Sequence, residues 1–547
     1  MEFVPRGPAD PAPLGGLPGW FSAMLRLRGI TTEEESRRFL SPSLGDLHDP
    51  FLLPGMTETV RLLREAAARR DPILIWGDYD ADGICAASIL LETLKEEGAN
   101  VNFYLPSRHS DGYGLNPEGI RKAAEKGFRL LITVDCGISS REETALARSL
   151  GMTVIVTDHH ALPPELPEAD AVMNPLLGGY PCPFLCGAGV ALKICQALQG
   201  PEGLRKRLDL AAIATVADVV PLLGENRVIV REGLDCIART RRPGLQALLK
   251  CAGIEAPVTT DHLGFRIGPR LNAAGRLEDA RPAARLLMTR DPVLAESLAS
   301  HLEELNSRRQ AMEREITGQA LQQVREQPDF GTARSLVVSG DWNPGLIGLT
   351  AGKLCEKFYL PAVTLSLQGD TAVGSCRSIP GVHIFGMLQR CGDLLTRFGG
   401  HAQAAGLTLP AGNIAAFRER LSRVISESCP PEVFRREMAY DLEVPFRSWD
   451  EESLGLLEQL EPTGEGNPAP VFLLSGASVQ TMRRVGRDLS HLQVTLLDRD
   501  NTPVRGIAFS QGEEADRPRD GADLLYRPYL NEFRGRRSVE ARIFALR

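Results

Sequence analysis

The sequence predicts an α/β protein in three parts: a parallel-sheet domain, a smaller α/β domain joined to it by a long helix, and a C-terminal β-barrel. Three observations carry this. From about residue 51 to 240, short apolar runs alternate with amphipathic stretches, the pattern of strand–helix–strand units whose strands are covered on both faces. Over residues 291–327, apolar side chains recur at helical spacing. After Pro430–Pro431 the chain turns to short alternating stretches with little helical signal, which suits a small barrel.

Taken in order, residues 1–50 read as an irregular N-terminal extension in which Thr31–Leu40 forms one helix, Thr32 and Glu35 making a capping box. Residues 51–240 form the parallel-sheet domain. Its strand-like runs Pro72–Asp78, Arg129–Asp135 and Met152–Asp158 each end in an acidic residue, with helical segments such as Ala86–Glu97 and Ser140–Leu150 between them. Ligands of such sheets sit beyond the carboxyl ends of the strands. Residues 241–330 form a helical connector. Leu294, Leu298, Leu302, Leu305, Met312 and Ile316 mark its long helix, which at 1.5 Å per residue spans roughly 50 Å before Pro328 ends it. Residues 331–432 form a second, Gly-punctuated α/β domain that opens on "SLVVSGD" and carries "GSCRS" and "GGHAQAAG". Residues 433–547 supply the barrel, with "VFLLSGASVQ", "HLQVTLLD", "VRGIAFS", "DLLYRPYL" and "SVEARIFAL" as its strands.

Composition narrows the function classes. Of 547 residues, 43% are apolar and 24% charged, which excludes wholesale disorder. A net charge of −8 excludes a polybasic binder but not local basic patches. The basic residues comprise 8 Lys and 54 Arg, a skew we attribute mainly to GC-rich coding. The eleven Cys form no paired framework, and Cys182 and Cys186 read as free thiols because no second pair or His cluster completes a zinc site. The first twenty residues lack the pattern of a signal peptide, and no run of 18 apolar residues occurs. A reducing cytoplasm, with no membrane partner, is expected.

Four motifs carry chemistry. In "GDYDADGICAAS", Asp78, Asp80 and Asp82 follow a buried strand and Gly83 opens a helix. Three carboxylates in five residues repel one another unless a cation neutralises them, so a divalent metal site competes with a solvated acidic turn; an EF-hand loop is disfavoured because a strand precedes. "TVDCGIS" puts Asp135 at a second strand end, and "VTDHHALP" puts Asp158, His159 and His160 at a third. "IATVADVVPLLGENR" sets Asp218 between apolar stretches, where a nearly buried carboxylate needs a partner. Together these supply five or six N/O ligands and no thiolate, which suits Mn²⁺ or Mg²⁺. Two such ions about 3.5–4 Å apart clamp both oxygens of a phosphoryl displacement.

In order and spacing, "GDYDADG", "VDCG", "DHH" and "ATVADVVPL" resemble motifs I to IV of the DHH phosphoesterase superfamily. "PSRHSDGYGLN", "CGAGVALKI", "GPRLNAAGRL", "LNSRRQ", "DWNPGLIG", "GSCRS", "GGHAQAAG" and "EPTGEGNPAPVF" resemble its bacterial RecJ branch, so the resemblance covers roughly residues 50–545. It implies a DHH domain, a DHH-associated domain and a C-terminal OB-type barrel. The implied activity is a metal-dependent, single-strand-specific 5′→3′ DNA exonuclease of recombination and repair. Single-stranded DNA with a 5′ end is the implied substrate, a single-strand-binding protein and a RecQ-type helicase are the implied partners, and a monomer is expected. By the same resemblance Asp80 holds one Mn²⁺ or Mg²⁺, Asp135 bridges two, and Asp82, His159 and Asp218 hold the second. His160 touches the scissile phosphate or protonates the leaving group, and Asp158 orients the pair. Where other branches carry a ligand His four residues before Asp80, this chain has Trp76, leaving Asp78 or water to complete the first site.

The resemblance further assigns phosphate contacts to Arg108, Arg276, Arg309, Ser375, Arg377 and His401. In the barrel segment, Arg483, Arg484, Arg487, Arg505, Arg527, Arg534, Arg536 and Arg537 interleave with Phe509, Tyr526, Tyr529 and Phe533. That pattern fits a stacking groove for single strands, and core packing explains the aromatics equally well. Two rivals stand beside this reading. One is a DHH phosphodiesterase or phosphatase acting on short oligonucleotides or cyclic dinucleotides, whose chains are shorter and lack the barrel. The other is a non-catalytic DNA-binding scaffold, against which the intact acidic and His residues argue.

Overall fold

The structure is a computed structural model and describes residues 2–107, 112, 114–327, 330–516, 521–533 and 535–547. It opens on strand β1 (Glu2–Pro5) and the helices Gly19–Arg26 and Glu33–Leu40, the second with its Thr32–Glu35 capping box in place. The expected irregular extension is therefore corrected. Phe21, Met24 and Leu25 are buried in one core with Phe446, Trp449 and Phe472, and the rings of Trp20 and Trp449 meet edge-on at 5.4 Å. An eight-residue helix shows which face is apolar but not that its partner lies four hundred residues away.

The first lobe holds β2 (Ile73–Trp76), β3 (Val101–Tyr104), β4 (Leu130–Thr133), β5 (Thr153–Thr157) and β6 (Ala171–Met173) in the parallel order β3-β2-β4-β5-β6. Every residue of β2 and β4 is buried, as the unbroken apolar runs predict. Ile73 and Ile75 enter the core on one face; Leu74 and Trp76 enter the core on the other. Because β2, β4 and β5 are neighbours, the acidic residues that follow them emerge side by side, one strand spacing of about 4.8 Å apart.

The connecting helix runs from Pro292 to Glu326 with Asp291 as its cap. Its buried stripe, Ala295, Ala299, Leu302 and Leu305, packs into the first lobe; Ile316, Ala320 and Val324 pack into the second. Ala295 and Ala299 are fully buried at this seam, the expected Leu298 packs half-buried beside them, and Leu294 is half-buried. Pro328 lies outside the described residues. The second lobe holds β7 (Leu336–Gly340), β8 (Ala362–Gln368), β9 (Thr371–Arg377), β10 (Arg397–Gly400) and β11 (Ala404–Pro410) in the order β10-β11-β9-β8-β7, with only β7–β8 parallel.

Strand β12 (Glu437–Tyr440) pairs with β1. Then β13 (Leu442–Glu443), β14 (Phe472–Val485), β15 (His491–Leu497), β16 (Pro503–Ala508), β17 (Gly521–Phe533) and β18 (Arg536–Leu546) form one sheet, and β17 returns to β14 to close it into the expected barrel. Tyr526 is a core residue, not a stacking platform: it is fully buried, and its hydroxyl accepts from Trp449 Nε1 at 2.7 Å. Phe509 is half-exposed. Arg484, Arg527 and Arg537 are engaged by Asp516, Glu461 and Glu451, while Arg483, Arg487, Arg505 and Arg536 are exposed. Arg534 and the Phe533 side chain lie outside the described residues.

Arg227 locks the first lobe to the barrel. Its buried guanidinium donates to the carbonyls of Phe39, Gln459, Leu460, Glu461 and Pro462, and lies 3.7 Å from the Phe39 ring centre. Arg227→Met leaves these carbonyls without donors. It is expected to destabilise the barrel and N-terminal helices by roughly 3 kcal/mol or more, measured as an earlier urea transition in tryptophan fluorescence; an unchanged transition contradicts this.

Candidate metal centre

Each acidic side chain is held by the backbone that follows its strand. After β2, Asp80 caps the helix Ala81–Glu96, its Oδ1 accepting from Asp82 N at 3.0 Å and Gly83 N at 3.1 Å. A Cβ at Gly83 would stand 2.5 Å from the Asp78 carbonyl oxygen, so only glycine lets this helix start against the strand end. Asp82 reaches across to the helix Gly187–Arg205, accepting from Gly187 N at 2.6 Å and Ala188 N at 2.7 Å. After β4, Asp135 adopts φ +60°, which aspartate tolerates better than most residues. Gly187 packs so closely that a Cβ there would lie 2.5 Å from Asp135 Cβ.

After β5, Asp158 organises both histidines. Its Oδ1 accepts from His159 N at 2.7 Å and His160 N at 3.1 Å, and lies 2.7 Å from His160 Nδ1; Oδ2 accepts from Ile138 N. These bonds hold Asp158 below the usual carboxylate range despite burial. A carboxylate only accepts, so His160 Nδ1 carries the hydrogen, and Asn174 Nδ2 donates to the His160 carbonyl at 2.9 Å. Asp218 ends the helix Leu208–Ala217. Contrary to the near-complete burial expected, its side chain is 24% exposed, because it stands just past the end of the apolar helix, beside His159 and Asp82.

The structure brings these groups together. His159 Nε2 lies 3.1 Å from Asp135 Oδ1, 3.6 Å from Asp218 Oδ2 and 3.7 Å from Asp82 Oδ2, buried and without a hydrogen bond. Ligand atoms of Asp82, His159 and Asp218 lie within 4.8 Å of one another, as do those of Asp78, Asp80 and Asp135, and those of Asp135, His159 and His160. Asp135 thus belongs to two of the three sets, one with Asp78 and Asp80 and one with His159 and His160. Burial raises the Asp82 and Asp135 carboxyls, and burial with the charges of Asp82 and Asp80 pushes Asp218 up to about 8. Carboxylates crowded so tightly are stabilised in their charged form by a cation. With only oxygen and imidazole nitrogen on offer, the donor set fits a hard divalent ion. Gly187→Ala drives a methyl group into Asp135 and is expected to abolish tight Mn²⁺ binding, at a cost of about 1–3 kcal/mol in stability. Calorimetric Mn²⁺ titration checks it; wild-type affinity in the variant counts against the packing argument.

The predicted phosphate contacts divide. Arg276 donates to the Gly345 carbonyl at 3.1 Å, and Ser375 and Arg377 flank Gly348, where a built Cβ would stand 3.0 Å from Ser375 Oγ and 3.6 Å from Arg377 Nη2. All three therefore stand at the start of the helix Ile347–Phe358, Arg276 on the loop residue Gly345 before it and Ser375 and Arg377 beside its first turn. His401 is exposed in the β10–β11 turn, beside the end of β11 that pairs with Arg377. Arg309 is engaged by Glu313 at 2.6 Å and Asn306 at 2.8 Å, and Lys353 of the helix Ile347–Phe358 pairs with the same Glu313. Arg108 lies outside the described residues.

Known proteins share this architecture and these sequences. Residues 72–216 match the DHH family, N-terminal domain, residues 332–427 the DHHA1 domain, and residues 440–544 the RecJ OB domain. The chain is 38% identical over 531 residues to the single-stranded-DNA-specific exonuclease RecJ of Bacillus subtilis, covering 95% of this chain and 67% of that one. It is 34% identical over 556 residues to the protein of the same name from Escherichia coli, covering 96% and 95%. The chain belongs to the RecJ family. Among solved structures, RecJ of Thermus thermophilus in complex with Mn²⁺ matches with a TM-score of 0.84 and 31% identity, over 100% of this chain and 80% of that one. The Mg²⁺ complex matches at 0.78 and 30%, over 100% and 78%.

Within this RecJ-family fold, sequence reasoning missed the groups that hold the ligands in place. Asn272 Oδ1 accepts from Ala81 N at 2.7 Å, and Gly275 packs where a Cβ would meet the Tyr79 carbonyl at 2.6 Å. The helix Gly268–Leu277 thereby braces the Asp78–Asp82 turn on one side while Arg276 reaches the second lobe on the other. Both residues lie in "GPRLNAAGRL", the segment already singled out, but only the packing reveals their task.

Proposed function

We propose that this RecJ-family chain hydrolyses single-stranded DNA from its 5′ end and releases 5′-mononucleotides. The observation that carries the reading is a pair of neighbouring donor sets at the carboxyl edge of the parallel sheet, Asp78–Asp80–Asp135 and Asp82–His159–Asp218, joined by the 3.1 Å approach of His159 Nε2 to Asp135 Oδ1. Asp78, Asp80 and Asp135 would hold one Mn²⁺ or Mg²⁺, and Asp82, His159 and Asp218, again with Asp135, the other. Bound there, the ions would supply an activated water and neutralise charge on the phosphate. Asp158 fixes the His160 ring through Nδ1, which makes Nε2 the nitrogen that would donate to the phosphate or to the departing oxygen. Arg276, Ser375, Arg377 and His401 would bind the 5′ phosphate and its neighbours, while the exposed barrel arginines and Phe509 would hold the strand beyond.

A strand threaded between two lobes enters unpaired, and this supports single-strand selectivity. The partners that fit are a single-strand-binding protein and a RecQ-type helicase, each of which handles unpaired DNA, with the enzyme acting as a cytoplasmic monomer. Among the described residues no helix is long and apolar enough to cross a membrane.

Strands labelled at either end, single and duplex, test polarity, strandedness and reaction together. Early release of labelled mononucleotide from the 5′-labelled single strand is expected. Release from the 3′ label first, or equal turnover of dinucleotides, refutes the reading. Chelation is expected to stop the reaction and Mn²⁺ to restore it, and affinity for the strand is expected to fall steeply with salt as phosphate contacts displace counterions. A flat salt dependence counts against the channel.

A further inference from the structure

The three most exposed large apolar side chains among the described residues are Phe265, Val293 and Val219, at 78%, 77% and 64%. Two of the three flank the end of the helix that carries Asp218. Val219 follows it directly at φ +59°, a conformation costly for a β-branched residue and one that persists only where the surroundings impose it. Here they do: Leu222 N donates to the Glu465 carbonyl at 2.8 Å, and a Cβ on Gly466 would stand 2.9 Å from Pro221 Cβ, so the barrel loop presses on the turn from behind.

Phe265 projects from a π-helical turn, Leu263–Ile267, that runs into the helix Gly268–Leu277. Such turns insert an extra residue and recur at functional sites. This one lies on the last turn of Asp218's own helix: a Cβ at Gly264 would be 3.6 Å from Val216 Cγ1, and one at Gly268 would be 3.2 Å from Ala217 Cβ. Leu263 and Ile267 are fully buried, so the turn is anchored while Phe265 and Arg266 face outward. Folding gains nothing from an aromatic ring held in water.

We propose that Phe265 and Val219 form an apolar platform on which a nucleobase of the bound strand stacks, next to the phosphate held at the metal centre. The inference rests on the single-strand exonuclease reading and adds a specificity element to it. Stacking on a phenyl ring accepts any base, and a base lying on Phe265 cannot also stack inside a duplex. The platform therefore orients the strand without reading sequence and favours unpaired ends.

Phe265→Ala tests this on the full chain with a single-stranded oligonucleotide and with copies carrying one abasic position walked in from the 5′ end. The variant is expected to raise KM about tenfold with kcat nearly unchanged. One abasic position should raise KM for the wild type but not for Phe265→Ala, and Phe265→Trp should restore wild-type behaviour. Because the side chain is exposed, the variants are expected to keep the wild-type melting temperature. A KM within twofold of wild type, or an abasic penalty identical in both proteins at every position, overturns the platform. So does a Phe265→Ala chain that fails to fold, since that makes the ring a packing residue. A wild type that leaves single strands intact instead overturns the functional reading, and the platform with it.

Discussion

Asp135→Asn is expected to slow strand degradation at least a thousandfold while raising the thermal midpoint of the metal-free chain by a few degrees. Asparagine has the same shape and tolerates φ +60° as readily, so the change is confined to charge. Asp135 belongs both to the set with Asp78 and Asp80 and to the set around His159, and losing a shared anionic ligand forfeits several kcal/mol of charge stabilisation in the displacement. The opposite effect on stability follows from the same crowding. Burial and the charges of Asp82, Asp80, Asp78 and Asp218 all raise the Asp135 carboxyl, so a neutral amide relieves repulsion that function requires. Single-turnover digestion and calorimetry in chelator check the two halves. Activity within tenfold of wild type refutes the shared-ligand role, and a lower midpoint refutes the repulsion argument.

His160→Gln is expected to cost about 10²–10⁴ in kcat, the range for loss of a positioned acid, with Mn²⁺ affinity within a few-fold of wild type. His160 is exposed, and its Nδ1 is already committed to Asp158. It also stands near Asp135 and His159 in a third donor set. The experiment therefore separates two roles: unchanged metal binding with lost turnover fits a proton donor, whereas lost Mn²⁺ binding makes His160 a ligand. Asp158→Asn is expected to fall between, at about 10–100-fold, because it acts only by orienting others.

Much of the centre was visible before folding because its chemistry is local. Asp78, Asp80, Asp82, Asp135, Asp158, His159 and His160 all lie at the carboxyl ends of apolar runs, and a parallel sheet collects such ends on one edge. Asp218 was found by a weaker signal, a lone carboxylate amid apolar residues, and its exposure was misjudged because helix length alone does not tell where the helix meets the cleft. Arg309 reads as a phosphate contact by its motif; the structure adds that Glu313 one turn away engages its Nη1, an i,i+4 pairing set by local spacing. Tyr526 is fixed in the core by Trp449, a contact made only when the barrel closes.

By itself the sequence determined the strand–helix alternation, the long connector, the barrel and the identity of the donor atoms, since these follow from periodicity and residue chemistry within short windows. The tertiary structure alone decided that Gly187 and Asn272 would clamp the metal loops, that Arg227 would bind Phe39 to the barrel, and that the N-terminal helices would complete the barrel core. Each of these joins residues about fifty to four hundred positions apart, and its energy comes from close approach and from satisfying buried polar groups, which no local pattern encodes.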